Sequence, residues 1–132
     1  MLTWNKKFET GSVLIDSQHR MLIDKINELE QVVSGASVSK AKCDDLLNFL
    51  GSYAASHFKF EEGCMQRYRC PAHEQNAQAH AAFMGVFGKF KEQYEVQGPK
   101  VELLKNLQVT ATEWISSHIL SVDVRLNSCL KP

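Results

Sequence analysis

Apolar residues recur at alternating steps of three and four along most of the chain. This spacing is typical of helices that bury one face in a bundle. Proline and glycine interrupt the pattern at three places, which are Ser34-Gly35-Ala36-Ser37, Pro71 and Gly98-Pro99. Because these residues end helices, the three breaks leave four predicted helical segments.

The segments are roughly 16–34, 39–67, 71–96 and 100–129. Since their connections are short, we predict an all-α fold, an up-down-up-down antiparallel four-helix bundle. Ahead of it, Trp4 to Leu14 is predicted to form an extended N-terminal arm that packs its aromatic residues on the outside.

Several polar residues fall where the spacing assigns core positions, namely His19, His57, Glu61, Asn76, His80 and His118. Each buried polar group without a partner costs roughly 1–3 kcal/mol, which a domain of marginal stability does not tolerate six times over. In an antiparallel bundle the starts of odd helices lie beside the ends of even ones, so these residues converge on one layer. A single core histidine is more often an ordinary hydrogen-bonded residue, but four at one level predict a metal site.

The spacing of the carboxylates indicates which metal. Glu61 lies one turn after His57, on the same helix face. Asp123 comes five residues after His118, off that face in an ideal helix, but the apolar pattern also slips by one residue there. We expect a local π-bulge to turn Asp123 inward. With Glu61 and Asp123 as bridges, the composition favours a pair of irons over a closed zinc site.

The 132 residues suit one domain, 1–132, with 44% hydrophobic residues and no net charge. Nothing indicates a nucleic-acid surface, and no apolar run is long enough to span a bilayer. We therefore expect a cytoplasmic protein, unless the chain was cut from a larger membrane protein. The four cysteines, which form no CxxC pair, are expected to be buried or idle thiols. A regulatory disulfide between Cys64 and Cys70 is the alternative.

Nearly the whole chain resembles the hemerythrin family, and within it the single-domain bacteriohemerythrins. The matching residues are Trp4, Gly11, Ile15-Asp16-x-Gln18-His19, His57-Phe58-x-x-Glu61-Glu62, Met65, Tyr68, Pro71, His80-x-x-Phe83 and Trp114-Ile115-x-x-His118-Ile119-x-x-x-Asp123. The combination is specific, although each piece alone is weak.

The resemblance implies a centre of two oxygen-bridged, non-haem iron ions. It places His19 and His57 on one iron and three histidines on the other, with Glu61 and Asp123 as bridges. It also implies that dioxygen binds at the two-histidine iron. The residues that match the family's pocket lining are Phe58, Trp114, Ile115 and Ile119.

The chain departs from the family in the third segment. The family has histidines at the positions of Asn76 and His80, and this chain has asparagine at the first. In one alternative, His73, which lies one turn earlier on the same helix face, replaces the missing ligand. In the other, water or another small ligand fills the position. Both outcomes predict weaker retention of one iron.

The resulting hypothesis is reversible binding of dioxygen for carriage, storage or sensing, by a monomer that is not an enzyme. A di-iron redox enzyme is the second hypothesis. It ranks lower because four-helix carboxylate enzymes usually carry Glu-x-x-His pairs, which are missing here. A regulatory module that reads oxygen or iron for an unknown protein partner is the third.

Overall fold

The computed structural model describes residues 2–35 and 39–130, the last of these without its side chain. Four long helices dominate it: α1 Val13–Ser34, α2 Lys40–Arg67, α3 His73–Gln97 and α4 Val101–Ser121. Helix α1 contacts α2 and α4, α2 contacts α3, and α3 contacts α4. This closed ring of antiparallel neighbours confirms the predicted four-helix bundle.

Local signals set the helix ends. The Ser12 and Ser39 side chains accept hydrogen bonds from the backbone N–H groups of Ile15 and Lys42, which caps α1 and α2. Gly98 ends α3 at φ 78°, a conformation that disfavours other residues. The break predicted at 34–37 begins as expected after Ser34, but its Ala36 and Ser37 lie outside the described residues.

The N-terminal arm differs from the prediction in two respects. Helix α1 already begins at Val13, and a 3-10 turn at Lys6–Phe8 interrupts the arm. Phe8 is only 3% exposed and belongs to the main core, whereas Trp4 packs against that core from its edge. The aromatic residues of the arm are therefore not all on the outside of the bundle.

The predicted fourth segment is not one continuous helix. Helix α4 ends at Ser121, a 3-10 turn spans Asp123–Arg125, and a short helix α5 covers Leu126–Leu130. The expected π-bulge is wrong, because the chain instead leaves the α-helical conformation at Val122 (φ −120°, ψ −57°). The break still turns Asp123 inward, where it is 2% exposed.

The break also changes the prediction for the cysteines. Cys70, in the connection between α2 and α3, forms a disulfide with Cys129 of α5, whose Cα lies 5.4 Å away. Cys64 and Cys70 are thus not paired, and Cys43 and Cys64 are free thiols. The pairing follows from the path of the chain after Val122, which brings α5 back against the α2–α3 connection.

The apolar interior has two parts. The main core fills the bundle, with Leu29, Leu47 and Leu104 almost fully buried. A separate small cluster at one end consists of Ile15, Met65, Cys70, Ala72, Val122 and Leu126, and we call it the end cluster. Between the two parts lies a buried polar layer. None of the helices within the described residues is long and apolar enough to cross a membrane.

Two glycine substitutions test these backbone assignments. Gly11 has φ 92°, and an added Cβ would lie 3.0 Å from Oδ1 of Asn127, so we expect Gly11→Ala to destabilise the protein by about 1–2 kcal/mol. Gly85 lies within α3, and an added Cβ would meet nothing within 4 Å. Gly85→Ala should therefore stabilise the protein by roughly 0.5–1 kcal/mol. Urea unfolding measures both changes, and an equal effect of the two substitutions would contradict the assigned conformations.

Candidate metal centre

The buried polar layer draws side chains from every long helix. His19 comes from α1, His57 and Glu61 from α2, His80 from α3, and His118 from the end of α4, with Asp123 just beyond it. All six are buried, and Glu61 is fully shielded from solvent. The sequence predicts that these residues converge on one layer of the bundle, and the structure brings them together there.

Glu61 lies at the centre of the layer and faces histidines with both of its oxygens. Its Oε2 lies 3.2 Å from Nε2 of His19 and 3.7 Å from Nε2 of His57. Its Oε1 lies 3.3 Å from Nε2 of His80. The two oxygens of this one carboxylate thus contact two separate groups of imidazoles.

Asp123 also contacts different histidines with its two oxygens. Its Oδ2 lies 3.2 Å from Nε2 of His19, and its Oδ1 lies 3.2 Å from Nε2 of His118. A carboxylate that directs its two oxygens at different imidazoles has the geometry needed to bridge a pair of cations.

The donor atoms fall into two adjacent groups of a size that suits two ions. One group is His19, His57 and Glu61, and the other is Glu61, His80, His118 and Asp123. Within each group the donor atoms lie within 4.8 Å of one another, and Glu61 belongs to both groups. The residues present therefore fit a two-metal site of mixed imidazole and carboxylate ligands.

Hydrogen bonding within the protein satisfies this layer only in part. Among the described residues, the buried atoms without a hydrogen-bond partner include His57 Nε2, His80 Nε2, Glu61 Oε2, Asp123 Oδ1 and both ring nitrogens of His19. Such atoms are rare in folded proteins, because each one costs free energy. Cations bound between them would satisfy most of these atoms at once, which is a second reason why the layer fits a metal site.

The carboxylates also perturb the neighbouring imidazoles. Burial disfavours the charged form of His19, but its contacts with Asp123 and Glu61 outweigh burial and raise its pKa to about 9. Burial and the positive charge of His19 lower the pKa of His57 to about 3. Burial opposes ionisation of Glu61, yet its contacts with His19 and His80 hold its pKa well below the usual range. A metal ion that binds here must displace the proton on His19.

Two histidines are oriented through their other ring nitrogen. Nδ1 of His57 lies 2.6 Å from Oε1 of Gln18, and Nδ1 of His80 lies 3.0 Å from Oε2 of Glu62. An acceptor at Nδ1 keeps the proton there and leaves Nε2 free to bind a metal. Gln18 and Glu62 both belong to motifs that resemble the family, but the sequence alone does not predict their contacts with His57 and His80.

Asn76 lies inside the layer, where it bridges two candidate ligands. Its Nδ2 donates to Oε1 of Glu61 at 2.8 Å and contacts the sulfur of Met65 at 3.3 Å. Its Oδ1 lies 2.6 Å from Nε2 of His118. The amide is thus held by three residues, and its oxygen points at the same nitrogen that would bind a metal.

The structure does not bring His73 into the layer. It is the first residue of α3 and half-buried, and it belongs to neither group of candidate donor atoms found among the described residues. Asn76, which follows three residues later on α3, is the residue that enters the layer instead.

Aromatic side chains cover the layer on the side of the main core. Phe58 stacks on His80 with ring centroids 3.9 Å apart, and Trp114 stacks on His118 at 4.5 Å. Beyond them lies an apolar cavity of about 20 Å³. Its lining includes Phe58, Trp114 and Ile115, as well as Phe83, which the sequence reasoning did not assign to the pocket. Ile119 does not line this cavity and is fully buried in the core.

The chain matches the family model of the hemerythrin HHE cation-binding domain over residues 10–126. It is 24% identical to a bacteriohemerythrin of Stenotrophomonas maltophilia over 123 residues, which are 93% of this chain and 77% of that protein. It is also 24% identical to one of Methylococcus capsulatus over 131 residues, 98% of this chain and 97% of that protein.

A crystal structure of wild-type hemerythrin superposes with a TM-score of 0.85 and covers 100% of this chain and 99% of its own, at 22% identity. This likeness independently supports the four-helix fold. Since the family model spans most of the sequence, the chain belongs to the hemerythrin family.

Proposed function

We propose that the chain binds two non-haem iron ions in the polar layer and binds dioxygen reversibly there. His19 and His57 would hold one iron, His80 and His118 the other, and Glu61 and Asp123 would bridge them. The observation that carries this proposal is the division of donor atoms into two groups that share Glu61. Membership of the hemerythrin family supports iron as the metal.

A bound pair of irons would supply the reversible electron transfer that binding of dioxygen requires. The surrounding residues keep water away from this chemistry. The neighbouring cavity is lined by apolar residues only, and its volume of about 20 Å³ suits a very small molecule. A water molecule there would lack hydrogen-bond partners, whereas dioxygen needs none. Exclusion of water and its protons favours release of intact dioxygen over irreversible oxidation.

The first test is metal content together with the optical spectrum. Protein loaded with iron(II) without air should retain two irons per chain, because two groups of donors are present. Exposure to air should then produce a visible absorption band, and removal of dioxygen should abolish it over repeated cycles. A folded protein that stays colourless and retains no iron after loading would contradict the proposal.

A di-iron redox enzyme is the second candidate, and Asn76 is the observation that favours it. An amide is a weaker iron ligand than an imidazole, so the iron held by His80 and His118 would be left with an exchangeable position. The oxygenation cycle separates the two functions. Continuous consumption of dioxygen in the presence of a reductant, without a stable coloured form, would support the enzyme and not the carrier.

Asn76 also leads to a prediction about metal retention. Restoring an imidazole with Asn76→His should slow iron loss during dialysis several-fold and weaken azide binding, because a firm ligand then fills the exchangeable position. The matched control is His73→Ala, which removes the histidine that lies outside the layer. This variant should retain as much iron as the unaltered protein.

Two results would contradict this account of the altered iron. Equal iron occupancy and equal azide affinity in Asn76→His and the unaltered protein would show that Asn76 does not weaken the site. Loss of iron in His73→Ala would show that His73 completes the site after all.

Gln18 is predicted to position His57 without touching iron. Gln18→Ala removes the acceptor at 2.6 Å from Nδ1 of His57, so the ring loses its fixed orientation. Removal of such a partner typically costs roughly 10–100-fold in metal affinity. The control is Gln31→Ala, an exposed glutamine of the same helix. Competition with an iron(II) chelator measures both variants, and unchanged affinity in Gln18→Ala would exclude this positioning role.

A further inference from the structure

The Cys70–Cys129 disulfide joins two segments that are distant in sequence, with a separation of 59 residues. Cys70 lies in the connection between α2 and α3 and is 5% exposed. Cys129 lies in α5 and is half-buried. Of the two sulfur atoms, that of Cys129 is therefore the more accessible to a reductant.

The segment that this bond fixes is short, and its other attachments are noncovalent. Helix α5 comprises only Leu126–Leu130, too short to be stable on its own. Val122 and Leu126 anchor it in the small end cluster, Val124 packs against the main core, and Asn127 lies beside Gly11. In addition, Nη1 of Arg125 donates to Oε1 of Gln75 at 2.8 Å. This hydrogen bond is exposed to solvent and contributes little. The disulfide adds to these contacts a covalent link between α5 and the connection of α2 with α3.

Asp123 belongs to this tethered segment. It lies six positions before Cys129, in the 3-10 turn where α4 has already ended. Its carboxylate contacts His19 and His118 through different oxygens. Because no continuous helix holds Asp123 in place, the position of its carboxylate depends on how firmly the following residues are attached.

We propose that the Cys70–Cys129 pair is a reversible redox site, reduced by a dithiol, that controls how tightly the centre retains its metal through Asp123. The inference rests on the proposed iron centre for its consequence, although the tether itself does not. The expected cytoplasmic location agrees with it, since the disulfides found in reducing compartments are usually transient and redox-sensing.

The reduction is an ordinary thiol–disulfide exchange. A thiolate of the dithiol attacks Sγ of Cys129, which breaks the bond to Cys70 and forms a mixed disulfide. The Cys70 thiolate that leaves takes up a proton. The second thiol of the reductant then attacks the mixed disulfide and releases Cys129 as a thiol. Two electrons and two protons pass to the protein, and the reductant becomes a disulfide.

The experiment compares the oxidised and reduced forms of the full chain. Alkylation and peptide mapping should find Cys43 and Cys64 free in the oxidised protein and all four cysteines free after dithiothreitol treatment. Reduced and alkylated protein, freed of dithiothreitol and loaded with iron(II), should release iron to a chelator about tenfold faster than the oxidised protein. Cys129→Ser should match the reduced form without any reductant, and Cys64→Ser should match the oxidised form.

A second measurement does not need iron. In the metal-free protein, amide hydrogen exchange over residues 122–130 should be faster in the reduced form and in Cys129→Ser, while exchange in the middle of α2 stays unchanged. Equal iron release in the two redox forms, equal exchange over 122–130, or a different cysteine pairing would each overturn the inference. If neither form retains iron, the proposed function fails, and the exchange measurement still decides whether the disulfide tethers this segment.

Discussion

Two carboxylates buried among four imidazoles impose the constraint on which the rest of this structure depends. Glu61 and Asp123 lie in the buried polar layer near one end of the bundle, and each directs its oxygens at different histidines. Such a group of polar side chains is costly in an apolar interior unless positive charge neutralises it. Bound cations would supply that charge, and the proposed metal binding would then be coupled to stability. The apolar packing on either side of this layer holds the helices in register around it.

This constraint interrupts the backbone helix at the end of α4. A residue five positions after His118 points away from the layer in a regular helix. In the structure the α-helix ends before Val122, and a 3-10 turn follows. This turn directs Asp123 inward. The result is a broken helix whose last part, α5, packs on the end cluster, lies beside Gly11 and is linked by the disulfide. The geometry of the site therefore explains the least regular part of the bundle.

The sequence predicts most of the fold and the composition of the candidate site. Helical spacing locates the four helices, and the antiparallel order brings His19, His57, His80 and His118 to one level. The spacing does not distinguish a π-bulge from a helix break at Val122, because either one turns Asp123 inward. The partner of Cys70 is likewise not predictable, since it depends on the direction of α5 and not on a local pattern.

Side chains at the boundary of the layer were also difficult to predict. Gln18 and Glu62 contact Nδ1 of His57 and of His80. Both residues belong to the motifs that resemble the family, but the histidine that each one contacts depends on the packing of neighbouring helices. For Asn76, the missing imidazole was evident from the resemblance, but its hydrogen bonds with Glu61 and His118 depend on the distances between three helices.

The division of the interior into a large core and a small end cluster gives the two ends of the bundle unequal local stabilities. Without bound cations, the end that carries the polar layer holds the unsatisfied groups and the smaller apolar area. Partial unfolding begins where local stability is lowest. This end is therefore expected to open while the main core stays folded, which gives ions a path to a fully buried site without global unfolding.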